Sequence, residues 1–184
     1  MTNAPVFSLL RQATLIVAAA ALFLAPSAQA GIKSARVLAK IAAQTPAPKI
    51  VTEGEQMKAA QKAAAAIDGA QTFWGIGHSM EPLYAPNTAV VVKPVAYDDI
   101  KKGMTVVYVK SNGKVVAHSV IDEDRKGYVV QGVNNDEADS ESVNESNLIG
   151  VVVAAYSAND TEFRTSLTKQ LAASGNGAQS GGRG

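Results

Sequence analysis

The 184-residue chain contains no cysteine, so disulfides, thiol chemistry and cysteine-based zinc sites are excluded. Aromatic residues make up only 5%, which leaves Val, Ala, Leu and Ile to build the core. An excess of one charge is lacking too: 17 Lys and Arg stand against 16 Asp and Glu, for a net +1. A protein that coats nucleic acid needs a basic surface, so no nucleic-acid partner is expected. What is present, 47% hydrophobic and 18% charged residues, suits one ordinary domain with a buried core. It does not suit a collagen-like, coiled-coil or wholly disordered chain.

Residues 1–30 read as a secretory signal peptide. Arg11 supplies the positive start, 13–25 is apolar apart from Thr14, and Ala28-Gln29-Ala30 follows Pro26 as a small-x-small processing site. A helix over 13–25 spans about 20 Å, short of the ~30 Å hydrocarbon core. Cleavage at Ala30-Gly31 predicts an exported protein, periplasmic or extracellular. If the leader is retained instead, 13–25 anchors the chain in the inner membrane, and a membrane is then a partner. Arg11 is the only charge in the leader, so the rest of the chain is neutral.

Residues 31–72 read as a linker plus an Ala-rich helix. Thr45-Pro46-Ala47-Pro48 is stiff and extended. Thr52 and Glu55 have capping-box spacing. Met57, Ala60, Ala64 and Ile67 form one helical stripe, with Gly69 as the stop. So thin a stripe predicts weak docking or a spacer. Residues 73–156 differ in kind. Val-rich runs over 89–93, 104–110, 114–122, 127–131 and 148–156 predict a β domain. Asn112-Gly113 joins the second and third runs as a hairpin. A short helix is expected over 157–173, with Asn159 and Glu162 at capping-box spacing and Phe163, Leu167 and Leu171 on one face. Residues 174–184 form a Gly- and Ser-rich tail. The fold class expected is mainly β and antiparallel, flanked by a short N-terminal and a C-terminal helix.

Only two histidines occur, His78 and His118, both in the β domain. A serine hydroxyl needs a base to become nucleophilic, an imidazole suits that task near neutrality, and a carboxylate on its far nitrogen fixes the tautomer. Ser79, His118 and Asp139 supply these three parts. Asp136 and Glu137 lie in the same loop and are alternatives to Asp139. On the residues alone, a strand histidine satisfied by a backbone carbonyl is the competing reading of His118. Lys110 and Lys114 flank the hairpin turn and are the alternative bases. The oxygen-rich loop 134–141 lacks the ordered spacing of an EF-hand, so neither a metal nor a cofactor is expected.

Gly77-His78-Ser79-Met80-Glu81-Pro82 resembles the nucleophile box of type I signal peptidases, which the LexA-like self-cleaving proteins share. The strands over 88–93 and 105–110, the strand with the base, the Gly132-x-Asn134-Asn135 turn and Ile149-Gly150-Val151-Val152 follow in the order seen in that family. His118-Ser119-Val120-Ile121 is similar to the branch that uses His rather than Lys, found in the endoplasmic reticulum and archaea. That branch also uses an Asp seven residues beyond the turn glycine, which is Asp139 here.

The resemblance implies a signal-peptidase-like fold and a serine endopeptidase that cuts exported polypeptides after small residues. Ser79 would be the nucleophile, His118 the base and Asp139 its orienting acid. Gly77, His78 and Met80 would contact a substrate bound in extended form. The pattern departs at Val133, Met104, Pro86-Asn87 and Ser119. It departs also at Gly77, where many members carry an oxyanion-donating hydroxyl. A catalytically weakened module that binds extended peptides outside the cytoplasm is therefore the alternative. An ordinary imidazole base, with a pKa of about 6.5, predicts activity that falls below that pH. Nothing in the sequence specifies an oligomer.

Overall fold

The computed structural model describes residues 35–158. The leader and the 174–184 tail lie outside them, as does most of the helix expected over 157–173. Ser157 and Ala158 are instead the last residues of a strand. The element order is α1 (Ala35–Gln44), β1 (Lys49–Val51), α2 (Gln56–Ala64), β2 (Gln71–Gly75), β3 (Thr88–Lys93), a 3₁₀ turn (Tyr97–Asp99), β4 (Thr105–Val109), β5 (Val115–Asp124), β6 (Gly127–Gln131) and β7 (Leu148–Ala158). The protein is mainly β, as expected. No described helix is long and apolar enough to cross a membrane.

The seven strands form one sheet in the order β2-β3-β7-β4-β5-β6, with β1 added beside β7. All pairings are antiparallel except β1 with β7, which run parallel through Lys49↔Tyr156 and Val51↔Ala158. Strand β7 is therefore central, bonded on one side to β3 and on the other to β4 and β1.

Both faces of the sheet are covered, which explains the unbroken Val runs. A strand buried on one face alternates, whereas one buried on both reads as continuous apolar sequence. In β3, Val90 and Val92 join Val107, Val152, Met80, Leu83 and Ile41 of α1 in one core. Ala89 and Val91 point the other way, under α2, with Ala60 and Tyr156. On that second face, Val106, Tyr108, Val120 and Val130 pack with Tyr128, Val143 and Ile100.

Four local expectations need correction. Helix α2 begins at Gln56 with Glu55 at its cap and no side-chain capping bond. Thr52 contributes only its carbonyl, to the Glu55 N–H, so the capping-box spacing marks a turn. The helix ends at Ala64, short of Ile67, although Met57, Ala60, Ala64 and Ile67 all pack on the same core. The thin stripe does not mean weak docking: Ala60 has no exposed surface, because small side chains let the helix lie close on β3 and β7. The segment taken as linker contains α1 and β1, both built into the sheet's packing.

The β4–β5 hairpin forms as expected, through a three-residue loop. The Gly113 N–H donates to Lys110 O, and the Lys110 N–H to Lys114 O. Gly113 takes φ +79°, the left-handed position that a glycine fills without strain.

Candidate active site

Ser79 lies in the turn between β2 and β3. The Glu81 N–H donates to His78 O and the Tyr84 N–H to Met80 O, closing successive bends around the serine. Met80 and Leu83 anchor the turn in the first core. A second loop braces it: the Asn134 N–H donates to Ser79 O at 2.8 Å, and Asn134 Nδ2 to His78 O at 3.2 Å. Gly132 is required for this approach, since a Cβ there would lie 2.7 Å from Ser79 O. The Gly132-x-Asn134 turn thus holds the serine backbone in place. Val133, where the resemblance leads one to expect an acid, is buried in the core beside it.

His118 is on β5 at a change of neighbours. β4 pairs with β5 from Val115 to Ser119, whereas β6 joins only from Ser119 onward. His118 therefore lies where β6 stops and the 132–139 loop leaves. It is 5% exposed, its Nε2 is 3.0 Å from Ser79 Oγ, and its Nδ1 is 3.0 Å from Asp139 Oδ2. The Asp139 N–H is tied to Val130 O of β6, which aims its side chain back at the histidine. Asp139, and not Asp136 or Glu137, carries the bond to His118.

The Asp139 side chain is 6% exposed. Burial alone would raise its pKa, but hydrogen bonds from His118 and Tyr108 and the charges of His118 and Lys110 outweigh that, bringing it down to about 2. The carboxylate is therefore ionised across the ordinary pH range. An ionised carboxylate only accepts, so Nδ1 must carry the imidazole proton and Nε2 is left to accept from the Ser79 hydroxyl.

Tyr108 is not among the candidates the sequence offers, and Lys110 is one only as an alternative base. The Tyr108 hydroxyl donates to Asp139 Oδ2, and Lys110 Nζ lies 3.3 Å from the same oxygen. Lys110, read as flanking an exposed turn, has a side chain only 22% exposed and serves Asp139, not Ser79. The one available signal was a lone tyrosine in a valine strand, two residues before a lysine. Lys114 lines the cleft described next.

Ser79 lines a cleft of about 620 Å³ between β2 and β5, walled by Phe73, Trp74, Ile76, Met80, Val115 and Val116 among others. Among the described residues, strand β2 has β3 as its only strand partner, and Val115–Ala117 of β5 are paired only with β4. Two strand edges without a further strand partner among those residues thus border the cleft. Trp74, Ile76 and Val115 are exposed at its mouth. Gly77 and Met80 line it, in keeping with a contact role. His78 does not: it is exposed, 3.0 Å from Glu81 Oε1, and absent from the lining, so the substrate contact expected of it has no geometric support.

No family model matches the chain, and no curated protein matches it in sequence.

Proposed function

We propose that the protein is a serine endopeptidase that cleaves extended polypeptides after small residues, outside the cytoplasm. The reading rests on one observation, the hydrogen-bonded series Ser79 Oγ–His118 Nε2/Nδ1–Asp139 Oδ2 with 3.0 Å at each step, at an apolar cleft. Its two strand edges suit a substrate strand, whose backbone would bond to them as in β-augmentation.

In the reaction, Ser79 Oγ attacks the scissile carbonyl as its proton passes to His118 Nε2. Asp139 stabilises the imidazolium that forms. The Ser79 N–H takes no part in the bonds that close its turn and is the donor for the oxyanion. His118 then gives the proton to the leaving amine, and the acyl-enzyme ester remains. Water attacks that ester, its proton again going to Nε2, and the proton returns to Ser79 Oγ as the new carboxyl end departs.

The full chain and its Ser79→Ala variant should be compared on an Ala-x-Ala peptide by mass spectrometry. The expected result is cleavage after the second Ala by the wild type and background levels in the variant. Equal cleavage by both defeats the assignment. Peptide binding by both without cleavage by either favours the non-catalytic binding module, to which Gly77 in the place of a hydroxyl donor lends some support. N-terminal sequencing of the expressed protein tests export processing, with Gly31 the expected start.

A further inference from the structure

Asp139 Oδ2 is the acceptor for three donors: His118 Nδ1, the Tyr108 hydroxyl and the Lys110 ammonium. Tyr108 comes from β4 and Lys110 from the hairpin just beyond it, not from the loop that carries the acid. On β4, Val106 pairs directly with His118 and Tyr108 with Val116, so Tyr108 is a diagonal, same-face neighbour of the histidine. Tyr108 has no exposed surface. The Lys110 backbone is fixed by two hydrogen bonds of the hairpin loop. The same loop is tied to the acidic segment by the Ser111 N–H, which donates to Glu141 Oε2 at 2.7 Å.

We propose that Tyr108 and Lys110 are positioning residues of the Ser79 site, acting through Asp139 to fix the proton of His118 on Nδ1. The proposal rests on the reading of Ser79 and His118 as nucleophile and base.

The reason is a matter of protons. A carboxyl this far from water tends toward its neutral form unless enough donors face it. A neutral Asp139 would donate to Nδ1 rather than accept from it. That would place the imidazole proton on Nε2, opposite Ser79 Oγ, where it blocks proton acceptance. Tyr108, whose hydroxyl is pushed above its usual pKa by burial and by the bond to Asp139, keeps its proton and so always has one to donate to the carboxylate. It therefore favours the ionised acceptor geometry. Lys110 contributes charge, and that charge works in two directions: it favours the carboxylate but opposes the imidazolium formed during attack. The charged and titratable groups acting on Asp139 are His118, Tyr108 and Lys110, and those acting on Tyr108 are Asp139 and Glu141.

The test uses the full chain with Tyr108→Phe, Lys110→Met and Lys110→Arg, and two readouts. The first is kcat/KM against pH on the Ala-x-Ala peptide. Tyr108→Phe keeps the ring and removes one donor to a charged acceptor, so about a tenfold loss is expected, carried by kcat. Lys110→Met should move the acid limb of the profile to higher pH, since the imidazolium loses a repelling neighbour. Lys110→Arg should restore the limb. The second readout is the downfield proton resonance of His118 Nδ1–H, which needs no turnover. It should be present in the wild type and in Ser79→Ala, lost in Asp139→Asn, and exchange faster with water in Tyr108→Phe. Profiles and resonances in Tyr108→Phe and Lys110→Met that superimpose on the wild type overturn the proposal. If the wild type does not cleave, the peptidase reading falls while the resonance alone still decides the positioning role.

Discussion

A carboxylate that keeps its charge while 6% exposed couples folding to pH. Asp139 titrates near 2 in the folded protein, against about 3.9 for an unfolded Asp. Because the folded value is the lower, the ionised form favours folding. Its contribution is complete above about pH 4 and is lost as the pH falls toward 2. Urea unfolding of the wild type and Asp139→Asn should therefore show a stability gap that is constant near neutrality and changes between those two values. On the peptide substrate the same variant is expected to lose about 10³- to 10⁴-fold in kcat, the scale for a triad acid that no longer fixes its histidine. Gly132→Ala is a second prediction at this scale. Its Cβ would press on Ser79 O and on Asn135 Nδ2, at 2.7 and 2.8 Å, so it should displace the nucleophile turn and depress kcat while the circular dichroism stays β-like. The three residues of the hydrogen-bonded series were legible because nucleophile, base and acid are a small set of residue types, and only two histidines competed. Tyr108 was not legible. In sequence it is one more core residue of a valine strand, and its hydroxyl acquires a partner only because the 132–139 loop folds back over β5.

The strands were the readable elements: β3 to β7 match the Val-rich runs within a residue or two. What escaped was short or lay at an edge. β1 has three residues, and β2 reads Gln-Thr-Phe-Trp-Gly, without the β-branched density of a strand buried on both faces. Helix α1 contains no acidic first turn or basic last turn to mark its ends. Its burial through Ile41, with Val37 and Leu38 against the same core, is decided by the sheet and not by local signals. The docking of α2 gives an element-scale prediction. Ala60 sits without exposed surface among Ala89, Val91 and Tyr156, so Ala60→Leu overpacks a contact that only a methyl fits. A loss of about 1–3 kcal/mol in urea unfolding is expected, with the Ser79 site unaffected because neither Ser79, His118 nor Asp139 belongs to the cluster around Ala60.

At the scale of the whole molecule, the cleft is made by curvature: β2 and β5 are separated in the sheet order by three strands yet wall one cavity. Ile76 is 75% exposed and Val115 49%, so neither contributes much to the core. Changing both to Asp should leave the unfolding midpoint near that of the wild type. It should raise KM for an extended apolar peptide several-fold, because the apolar mouth is what an incoming strand would cover. A rise in KM with kcat preserved is the expected signature.

The central position of β7 also has a consequence in time. β3 and β4 do not pair with each other; both pair with β7, the last described strand to be synthesised. Ser79 belongs to the β2–β3 half of the sheet, whereas His118 and Asp139 belong to the β4–β6 half. A chain emerging from a ribosome or a translocation channel can form both hairpins early, since domains assemble from the N-terminus as they are made. The two halves lack the strand between them until Leu148–Ala158 has emerged. Ser79 and His118 are thus kept apart during synthesis by the order of the strands alone, and the proposed peptidase, so divided, would be silent until the sheet is complete.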